Sequence, residues 1–342
     1  MMKIAVIGSG SWGTALAKVL SENKHDTVLW GRKQAIIDEI NQTHTNEKYL
    51  PNVSLPKEIK ATTSLSEAVS KAAMIILVVP TNAMRQMAQD LNPLLKEQTQ
   101  APIIVHASKG LEMDTQLRIS EILKEVLNKA NYQDIVVLSG PSHAEEVARQ
   151  DVTTLTAASG NLEVAQVVQQ AFMNRYFRVY TNTDVIGVEL GGALKNIIAV
   201  GAGIIAGLGY GDNAKAALIT RGLAEISRLG TARGADPLTF IGLSGVGDLI
   251  VTCTSPHSRN FQAGTLIAKG YSRAEVSEKM FMVVEGILTV KVAYELAKEH
   301  GIDMPITEML YLALYTDKKI SVEEAIESLM LREGKQEESL DK

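Results

Sequence analysis

The chain has 342 residues, of which 46% are hydrophobic and 21% are charged, and its formal net charge is -5. This length allows two domains with full cores, and the composition is that of a globular protein. No basic block stands out, which argues against nucleic acid as the main partner. The single cysteine, Cys253, excludes an internal disulfide bond and fits a reducing compartment.

Neither the N-terminus nor the most apolar segment predicts export or membrane insertion. The apolar part of "MMKIAVIGSGSWG" is only "IAVI" and meets glycines at once, unlike a signal peptide. The run over 197–210 is apolar but broken by glycines, and it is shorter than the about 20 residues that cross a bilayer. We therefore expect a soluble, cytoplasmic protein.

The first half of the chain alternates β-rich runs with amphipathic segments. Strands are predicted, in chain order, at "KIAVIG", "TVLWG", "MIILVV", "PIIVHA", "DIVVLS" and "TTLTAAS". Helices are predicted at "SWGTALAKVLSEN", at "SLSEAVSKA", where Ser64 and Glu67 have capping-box spacing, and at "TQLRISEILKEVLNKA". Continuous apolar strands separated by helices indicate a parallel sheet that is covered on both faces.

The motif "GSGSWG" lies between the first predicted strand and the first predicted helix. A G-x-G-x-x-G in that context is typical of a Rossmann-type domain that binds a dinucleotide. Gly8 allows the tight turn, Gly10 the approach of a pyrophosphate, and Gly13 the close packing of helix on strand. We expect Ser11 and Trp12, at the start of the helix, to line the cofactor. A glycine turn without a ligand is the alternative.

The end of the second strand favours NADP(H), with NAD(H) as a possible second cofactor. An NAD-specific site usually places Asp or Glu there, but this chain reads "WGRKQ". Arg32 and Lys33 can meet a 2′-phosphate, and no carboxylate is present to repel it. The alternative is that both are solvated surface charges.

Three loops leave the predicted carboxyl ends of strands and read "PTNAM", "SKGLE" and "SGPSHAEEV". Ligands bind beyond those ends in a doubly wound sheet. Lys109 stands beside Gly110 on a permissive backbone, and the third loop, 139–144, offers hydroxyls and the N–H groups of a new helix. Both loops suit an anionic substrate. For Lys109, an ordinary exposed loop lysine is the alternative.

The apolar segment "GGALKNIIAVGAGIIAG" contains Lys195, and the positions three and four residues away carry no charge. A buried, unpaired charge is costly, so this lysine should have a partner. We expect an anionic ligand beside it, with a side chain that snorkels to solvent as the alternative. Room for the ligand would come from small residues on the same helix face: Gly191, Gly192, Ala199, Ala202 and Gly203.

The segment "LSGVGDLIVTCTSPHSRN" combines glycines with polar residues. Asp248 can orient a lysine ammonium or a substrate hydroxyl, and Arg259, between Ser258 and Asn260, offers a planar fork for a phosphate. Loop and helix-cap roles are the alternatives for these residues. Cys253 is interpreted as a packed residue rather than a nucleophile. The histidines have no metal-ligand spacing, so no metal is proposed.

The pattern changes near Asn182, and only helical segments follow, including "NAKAALITRGLAEISRLGTARG", "EGILTVKVAYELAKEHG" and "ITEMLYLALYTDKK". The predicted fold is α/β: a Rossmann-type doubly wound sheet followed by an all-α C-terminal domain. We predict a dinucleotide-binding domain over 1–182 and an all-helical substrate and catalytic domain over 183–331. The charged tail over 332–342 has no core face and is predicted to be disordered.

Over nearly its whole length the chain resembles the bacterial-type NAD(P)-dependent glycerol-3-phosphate dehydrogenases. The resemblance rests on "WGRK", "SKGLE", "SGPSHAEEV", "LSGVGDLIVTCTSPHSRN", "VVEG" and the lysine-centred block "GALKNIIAVGAGIIAGLGYGDNAKAALITRGLAEI". It implies the reduction of dihydroxyacetone phosphate to sn-glycerol 3-phosphate, usually with NADPH, which supplies the backbone of phospholipids. We also expect a homodimer.

The resemblance implies that Lys195 is the catalytic proton donor and acceptor. At the substrate it implies Lys109, Gly140, Ser142, Lys195, Asp248, Ser258, Arg259 and Asn260. At the cofactor, beside the motif glycines Gly8, Gly10 and Gly13, it implies Ser11, Trp12, Arg32, Lys33, Lys109, Ala144, Arg259, Val283 and Glu285.

These residues suit the chemistry, because hydride transfer to a ketone leaves negative charge on oxygen, which a positioned ammonium can stabilise and protonate. Lys109 and Arg259 should lower the pKa of Lys195, and Asp248 should raise it. A hydroxyacid or 6-phosphogluconate-type dehydrogenase is the main alternative and would need a carboxylate-binding pocket. A non-catalytic dinucleotide sensor would have no reason to carry Lys109, Lys195 and Asp248 together.

Overall fold

The computed structural model describes residues 1–280, 283–316 and 321–334. The first part of the chain forms one sheet, and alternate residues of its strands pack into cores on opposite faces. Ile4 and Val6 belong to one core, and Ala5 and Ile7 belong to the other. The prediction of a doubly wound α/β domain followed by helices is confirmed.

The sheet has eight strands in the order β3-β2-β1-β4-β5-β6-β7-β8. Their bounds are β1 (Lys3–Ile7), β2 (Asp26–Trp30), β3 (Lys60–Thr62), β4 (Met74–Leu77), β5 (Ile103–His106), β6 (Ile135–Ser139), β7 (Thr153–Ala158) and β8 (Phe177–Asn182). Each predicted strand is present. We did not predict β3, which is three residues long, or β8, where buried Phe177 and Val179 alternate with exposed Arg178 and Tyr180 in the manner of an edge strand.

The expectation of a parallel sheet is wrong at one place, because β6 and β7 pair antiparallel. The helix between these strands has only five residues. β7 in turn pairs parallel with β8, so these two strands together run opposite to the rest of the sheet.

Helices cover both faces of the sheet. In the first part of the chain they are α1 (Ser11–Glu22), α2 (Gln34–Thr43), α3 (Leu65–Val69), α4 (Met84–Lys96), α5 (Ile119–Val126), α6 (Ala144–Ala148) and α7 (Leu162–Phe172). The predicted capping box of α3 is half formed. Ser64 accepts a hydrogen bond from Glu67 N at 3.3 Å, but the Glu67 carboxylate accepts from Thr62 Oγ1 instead.

The second part of the chain is helical. Its helices are α8 (Val185–Gly207), α9 (Asp212–Ala232), α10 (Asp248–Thr254), α11 (Arg259–Ala268), α12 (Arg273–Met280), α13 (Glu285–His300), α14 (Pro305–Tyr315) and α15 (Val322–Met330). β8 ends at Asn182 and α8 begins at Val185, so the proposed domain boundary falls in the turn between them. Of the predicted tail, residues 335–342 lie outside the described residues, as do 317–319 of the last predicted helical segment. Arg332 pairs with Asp303 at 2.9 Å.

The central helix α8 has 23 residues and is long and apolar enough to cross a membrane, but 83% of that apolar window is buried inside the protein. It packs against α9, α10, α11 and α13. We expected this apolar segment to be too short to cross a bilayer, counting from residue 197 to 210. That expectation was wrong, because the helix begins at Val185. Its apolar character is explained by its place in the core.

Two of the small residues on α8, Gly191 and Gly203, do not leave room for a ligand, although we expected them to. A Cβ at Gly203 would overlap the carbonyl oxygen of Phe261, and one at Gly264 would overlap that of Val200. These two glycines therefore form a close backbone seam between α8 and α11. Gly191 likewise adjoins the backbone before α10, where a Cβ would lie 2.6 Å from Ser244 O.

Candidate active site

The glycine turn after β1 has the shape of an anion cradle. Gly8 has φ +129°, and a Cβ there would overlap Val78 O, while a Cβ at Gly13 would overlap Gly8 O. The space around Gly10 is open to 4 Å. Helix α1 begins after Gly10 without a side-chain cap and with no acidic residue in its first turn. Its N–H groups thus suit a pyrophosphate, and the turn fits a dinucleotide.

The turn is held by a neighbouring loop that we did not predict to matter. Asn46 is fully buried, and its side-chain amide donates to Ser9 O at 3.0 Å and to Thr14 Oγ1 at 2.8 Å. Ser11 donates its hydroxyl to Tyr49 O at 2.6 Å. That hydroxyl therefore supports the turn, which leaves the backbone N–H of Ser11 for a ligand. Trp12 is partly buried against the core below the sheet.

Arg32 and Lys33 lie just past the end of β2, and both are exposed. Gly31 brings them beside the glycine turn, because a Cβ at Gly31 would overlap the side chain of Ser9. Neither side chain forms an ion pair with any residue of the described ranges. They are placed where a group attached to the adenosine ribose of a dinucleotide could reach them.

Lys195 has a partner from another helix. Its ammonium, only 5% exposed, donates to Asp248 Oδ1 and, at 2.6 Å, to Thr252 Oγ1. Lys109, in the loop after β5, donates to Asp248 Oδ2 at 2.6 Å and to Gly140 O at 3.0 Å. We expected Lys195 to have a partner, and its partners lie on α10 and not on α8. Thr252, which we did not predict, follows Asp248 at the i,i+4 spacing of one helix face.

Burial is the main cause that lowers the pKa of Lys195, to about 8. Lys109 lowers the pKa further, and Asp248 partly offsets both effects. From the sequence we expected the neighbouring charges but not the dominant desolvation. An amine with this pKa can donate or accept a proton near neutral pH.

The loop after β6 borders the lysine cluster. Gly140 has φ +142°, and its carbonyl accepts from Lys109 and, at 2.9 Å, from Ser142 Oγ. Ser139 Oγ is buried without a hydrogen-bond partner in the described part of the chain, and a Cβ at Gly192 would lie 2.9 Å from it. Of the small residues on α8, Gly192 is thus one that borders the site.

Ala144 is buried and is the first residue of α6. The helix has five residues and carries Glu145 and Glu146 in its first turn, which weakens the attraction of its N-terminus for an anion. Our expectation that its N–H groups suit an anion stays a prediction.

Helix α11 presents its N-terminus beside the site. Ser258 caps it, accepting from Phe261 N at 3.3 Å, and Arg259 is exposed as its first residue. The Asn260 side chain is engaged within the protein: Nδ2 donates to Asn196 Oδ1 at 2.8 Å, and Oδ1 accepts from Gly286 N at 2.9 Å. The side chain of Arg259 and the backbone N–H groups of α11 are therefore the groups that face outward.

Glu285 joins the helical part of the chain to the sheet. Its carboxylate accepts from Thr81 N at 3.2 Å, and a Cβ at Gly110 would lie 2.8 Å from Oε2. Burial raises the pKa of Glu285, while Thr81 and the charge of Arg259 act to lower it. Val283 is 37% exposed just before this helix. Glu285, expected at the cofactor, thus lies against the loop that carries Lys109.

The interpretation of Cys253 as a packed residue agrees with the structure. The side chain is fully buried, and burial raises the pKa of its thiol to about 12, so it stays protonated. Within the described ranges no group of three or more His, Cys, Asp or Glu side chains could hold a metal ion.

Two family models match the chain. The model described as NAD-dependent glycerol-3-phosphate dehydrogenase N-terminus matches residues 3–165, and the corresponding C-terminus model matches residues 184–327. Together these matches span both the sheet and the helical part, so the resemblance seen in the sequence covers the whole fold.

Individual relatives agree. Glycerol-3-phosphate dehydrogenase (NAD(P)+) of Enterococcus faecalis is 61% identical over 98% of this chain and 97% of that protein. The Ligilactobacillus salivarius enzyme of the same name is 59% identical, over 98% of both chains. A crystal structure of glycerol-3-phosphate dehydrogenase from Coxiella burnetii, 35% identical, superposes with a TM-score of 0.89 over 97% of this chain and 99% of that chain. The chain belongs to the NAD-dependent glycerol-3-phosphate dehydrogenase family.

Proposed function

We propose that this protein reduces dihydroxyacetone phosphate to sn-glycerol 3-phosphate with NAD(P)H, and that Lys195 is the general acid. Family membership supports the reaction. The observation that carries the role of Lys195 is its buried ammonium, held by Asp248 and Thr252, with a pKa of about 8. In the reverse direction the neutral amine of Lys195 is the general base.

The lysine cluster provides the charge that the reaction needs. Two ammonium groups, Lys109 and Lys195, share the single carboxylate of Asp248, which leaves an excess positive charge in a buried site. A bound nicotinamide cofactor supplies the hydride. Lys195 then protonates the carbonyl oxygen, while Lys109 stabilises the negative charge that develops there. Thr252 and Asp248 hold Lys195 Nζ in one orientation.

The substrate phosphate is assigned to the N-terminus of α11. Arg259 is exposed at this end, and the first turn of the helix carries no acidic residue. Arginine and helix N–H groups both favour a phosphate. Binding energy from this unreactive group can be used to hold the carbonyl against Lys195.

NADP(H) is proposed as the preferred cofactor. The glycine turn and the uncapped N-terminus of α1 would hold the pyrophosphate of either dinucleotide. Arg32 and Lys33, exposed and outside any ion pair among the described residues, would contact the 2′-phosphate, which only NADP(H) carries. The absence of a carboxylate in "WGRKQ" supports the same preference.

We further propose a cytoplasmic homodimer whose product supplies the backbone of phospholipids. The single, buried Cys253 supports a reducing compartment. Light scattering of the purified protein tests the dimer, and a mass equal to one chain would exclude it.

The test of the reaction is NADPH oxidation with dihydroxyacetone phosphate, with unphosphorylated dihydroxyacetone and with 2-keto acids. We expect turnover with the first, and both lower kcat and weaker binding with the second. Turnover confined to the 2-keto acids would instead identify a hydroxyacid dehydrogenase. NADPH binding without turnover of any of them would identify a sensor.

Arg259→Ala tests the phosphate anchor, with Arg178→Ala on the edge strand β8 as the matched exposed control. The Arg259 variant should lose kcat/KM strongly with the phosphorylated substrate and little with the unphosphorylated one, at saturating NADPH. The control should behave as wild type. Equal losses on both substrates would show that the phosphate is held elsewhere, by Lys109 or by the backbone of α11.

A further inference from the structure

Glu189 on α8 is a buried carboxylate that no step above uses. It is 7% exposed, yet it is surrounded by donors. Arg118 Nη1 donates to Oε2 at 2.6 Å, Ser120 N donates to Oε1 at 2.7 Å, and Ser120 Oγ donates to Oε2 at 2.6 Å. The ring nitrogen Nε2 of His106 lies 3.1 Å from Oε1, within ion-pair distance.

The residues around this carboxylate come from the two ends of one loop. His106 is the last residue of β5, and Arg118 and Ser120 lie at the start of α5. The loop that carries Lys109 runs between them. The same carboxylate thus holds the segment where the chain leaves the sheet and the segment where it re-enters a helix. Within the loop, Leu111 forms a backbone bridge with Arg118.

The helix that carries Glu189 also carries Lys195. The two residues are about 9 Å apart along the axis of α8, at a rise of about 1.5 Å per residue. Glu189 is therefore connected to both lysines that contact Asp248. It is connected to Lys195 through α8 and to Lys109 through the loop. A shift of the loop relative to α8 would move Lys109 Nζ away from Asp248 Oδ2.

The Glu189 carboxylate is ionised at neutral pH. Burial alone would raise the pKa of Glu189, but His106, Arg118 and the hydrogen bond from Ser120 outweigh it and lower the pKa to about 2. A buried ion pair is weak evidence for stability, because apolar residues of similar volume often stabilise a fold as well. What three hydrogen bonds and the adjacent His106 ring add is a single geometry for the loop.

We infer that Glu189 is a positioning residue that fixes the Lys109 loop against α8 and so sets the separation of Lys109 and Lys195 across Asp248. It acts through the two lysines and not on the reacting atoms. This inference rests on the proposed function, since the geometry of the cluster matters only if the cluster performs the proton transfer.

Glu189→Gln tests the inference, with Glu225→Gln as the matched control. Glu225 is also a buried carboxylate, which accepts from Ile306 N at 2.6 Å, Thr307 N at 3.1 Å and Thr307 Oγ1 at 3.0 Å, but it joins α9 to α14 away from the lysines. Both variants should have a lower Tm. Arg118 keeps its contact with Glu121 at 2.7 Å in the first variant, which favours folding.

Only the Glu189 variant should lose activity. We expect its kcat for dihydroxyacetone phosphate to fall about 10- to 100-fold, because a misplacement of about 1 Å can cost that much. Its dissociation constant for NADPH should stay unchanged, since the glycine turn is not part of the network. Ser120→Ala, which removes one hydrogen bond and keeps the charge, should show a smaller loss of the same kind. A wild-type kcat in both Glu189→Gln and Ser120→Ala would overturn the inference. Equal losses of kcat in Glu189→Gln and Glu225→Gln would also overturn it.

A double-mutant cycle separates positioning from general damage. In a Lys109→Ala background, Glu189→Gln should have little further effect on kcat, while its effect on Tm should persist, because the residue through which it acts is gone. Additive losses of kcat would overturn the inference. A wild-type protein that binds NADPH but does not reduce dihydroxyacetone phosphate would instead refute the proposed function.

Discussion

Asp248→Asn is the perturbation that most directly tests the charge balance of the site. Asp248 is 1% exposed and contacts both Lys109 and Lys195. Asparagine has the same shape but removes the negative charge. Two ammonium groups side by side in a buried site would then repel each other without a carboxylate between them. The neutral amine of Lys195 therefore becomes the favoured form.

The size of the effect follows from Coulomb's law. A pair of unit charges at about 4 Å in an effective dielectric of about 20 is worth about 4 kcal/mol, which is about 3 pKa units. The pKa of Lys195 is about 8 in the intact site, where the carboxylate of Asp248 acts to raise it. The variant should therefore have a pKa of about 5, and the protonated fraction at pH 7 should fall from about nine tenths to about one hundredth.

Whether the rate rises or falls with pH depends on the direction of the reaction. Reduction needs the protonated amine, so its rate in the wild type should fall as the pH rises through about 8, while the rate of glycerol 3-phosphate oxidation should rise. In Asp248→Asn, reduction at pH 7 should be about 90-fold slower and should recover as the pH falls toward about 5.

The assay is the initial rate of NADPH oxidation at saturating substrates over a pH range that includes both midpoints. Thr252→Val is the matched control, because it removes the hydroxyl that accepts from Lys195 at 2.6 Å but leaves the charges in place. Its midpoint should fall by about one to two units, the size of a hydrogen bond to a charged group, and so by less than in Asp248→Asn. An Asp248→Asn enzyme with the wild-type midpoint would refute the reasoning.

Further predictions concern other parts of the site. Lys195→Ala should lower kcat by about 10²- to 10⁴-fold, the range for a lost general acid, and should leave NADPH affinity unchanged; near-normal turnover would exclude the role. Arg32→Ala combined with Lys33→Ala should weaken NADPH binding far more than NADH binding in a fluorescence titration, and equal losses would show that both are general surface charge. Gly13→Ala should abolish the binding of both cofactors, because its Cβ would overlap Gly8 O; normal NADPH binding would mean that the turn is not the pyrophosphate site.

The sequence predicted the sheet well because apolar runs report burial directly. It failed at the reversal between β6 and β7, because strand direction depends on the path of the connection and nothing in the two strands themselves marks it. β8 was missed because one of its faces is exposed, so that its residues alternate in character.

At the site, the sequence indicated the residue types and suggested Asp248 as the partner of a lysine, but it could not show which lysine or that Thr252 joins them. Lys195 and Asp248 are 53 residues apart, beyond any spacing that a helix or strand period can relate. Burial, the largest effect on the pKa of Lys195, depends on helices packed around α8 from distant parts of the chain. The sequence also could not show that the side chain of Asn260, expected at the substrate, hydrogen-bonds to Asn196 and Gly286 within the protein.

The backbone seam between α8 and α11 fixes the position of these two helices relative to each other. Because Gly203 and Gly264 bring the two backbones into contact, a slide of either helix would cause a clash, which limits changes in the distance between the start of α11 and Lys195. If Arg259 holds the phosphate as proposed, that distance selects substrates by the number of carbons between phosphate and ketone. A longer ketose phosphate would bind by its phosphate and yet present its carbonyl out of reach of the ammonium. An alanine in the seam would force the helices apart and should relax this selection by chain length.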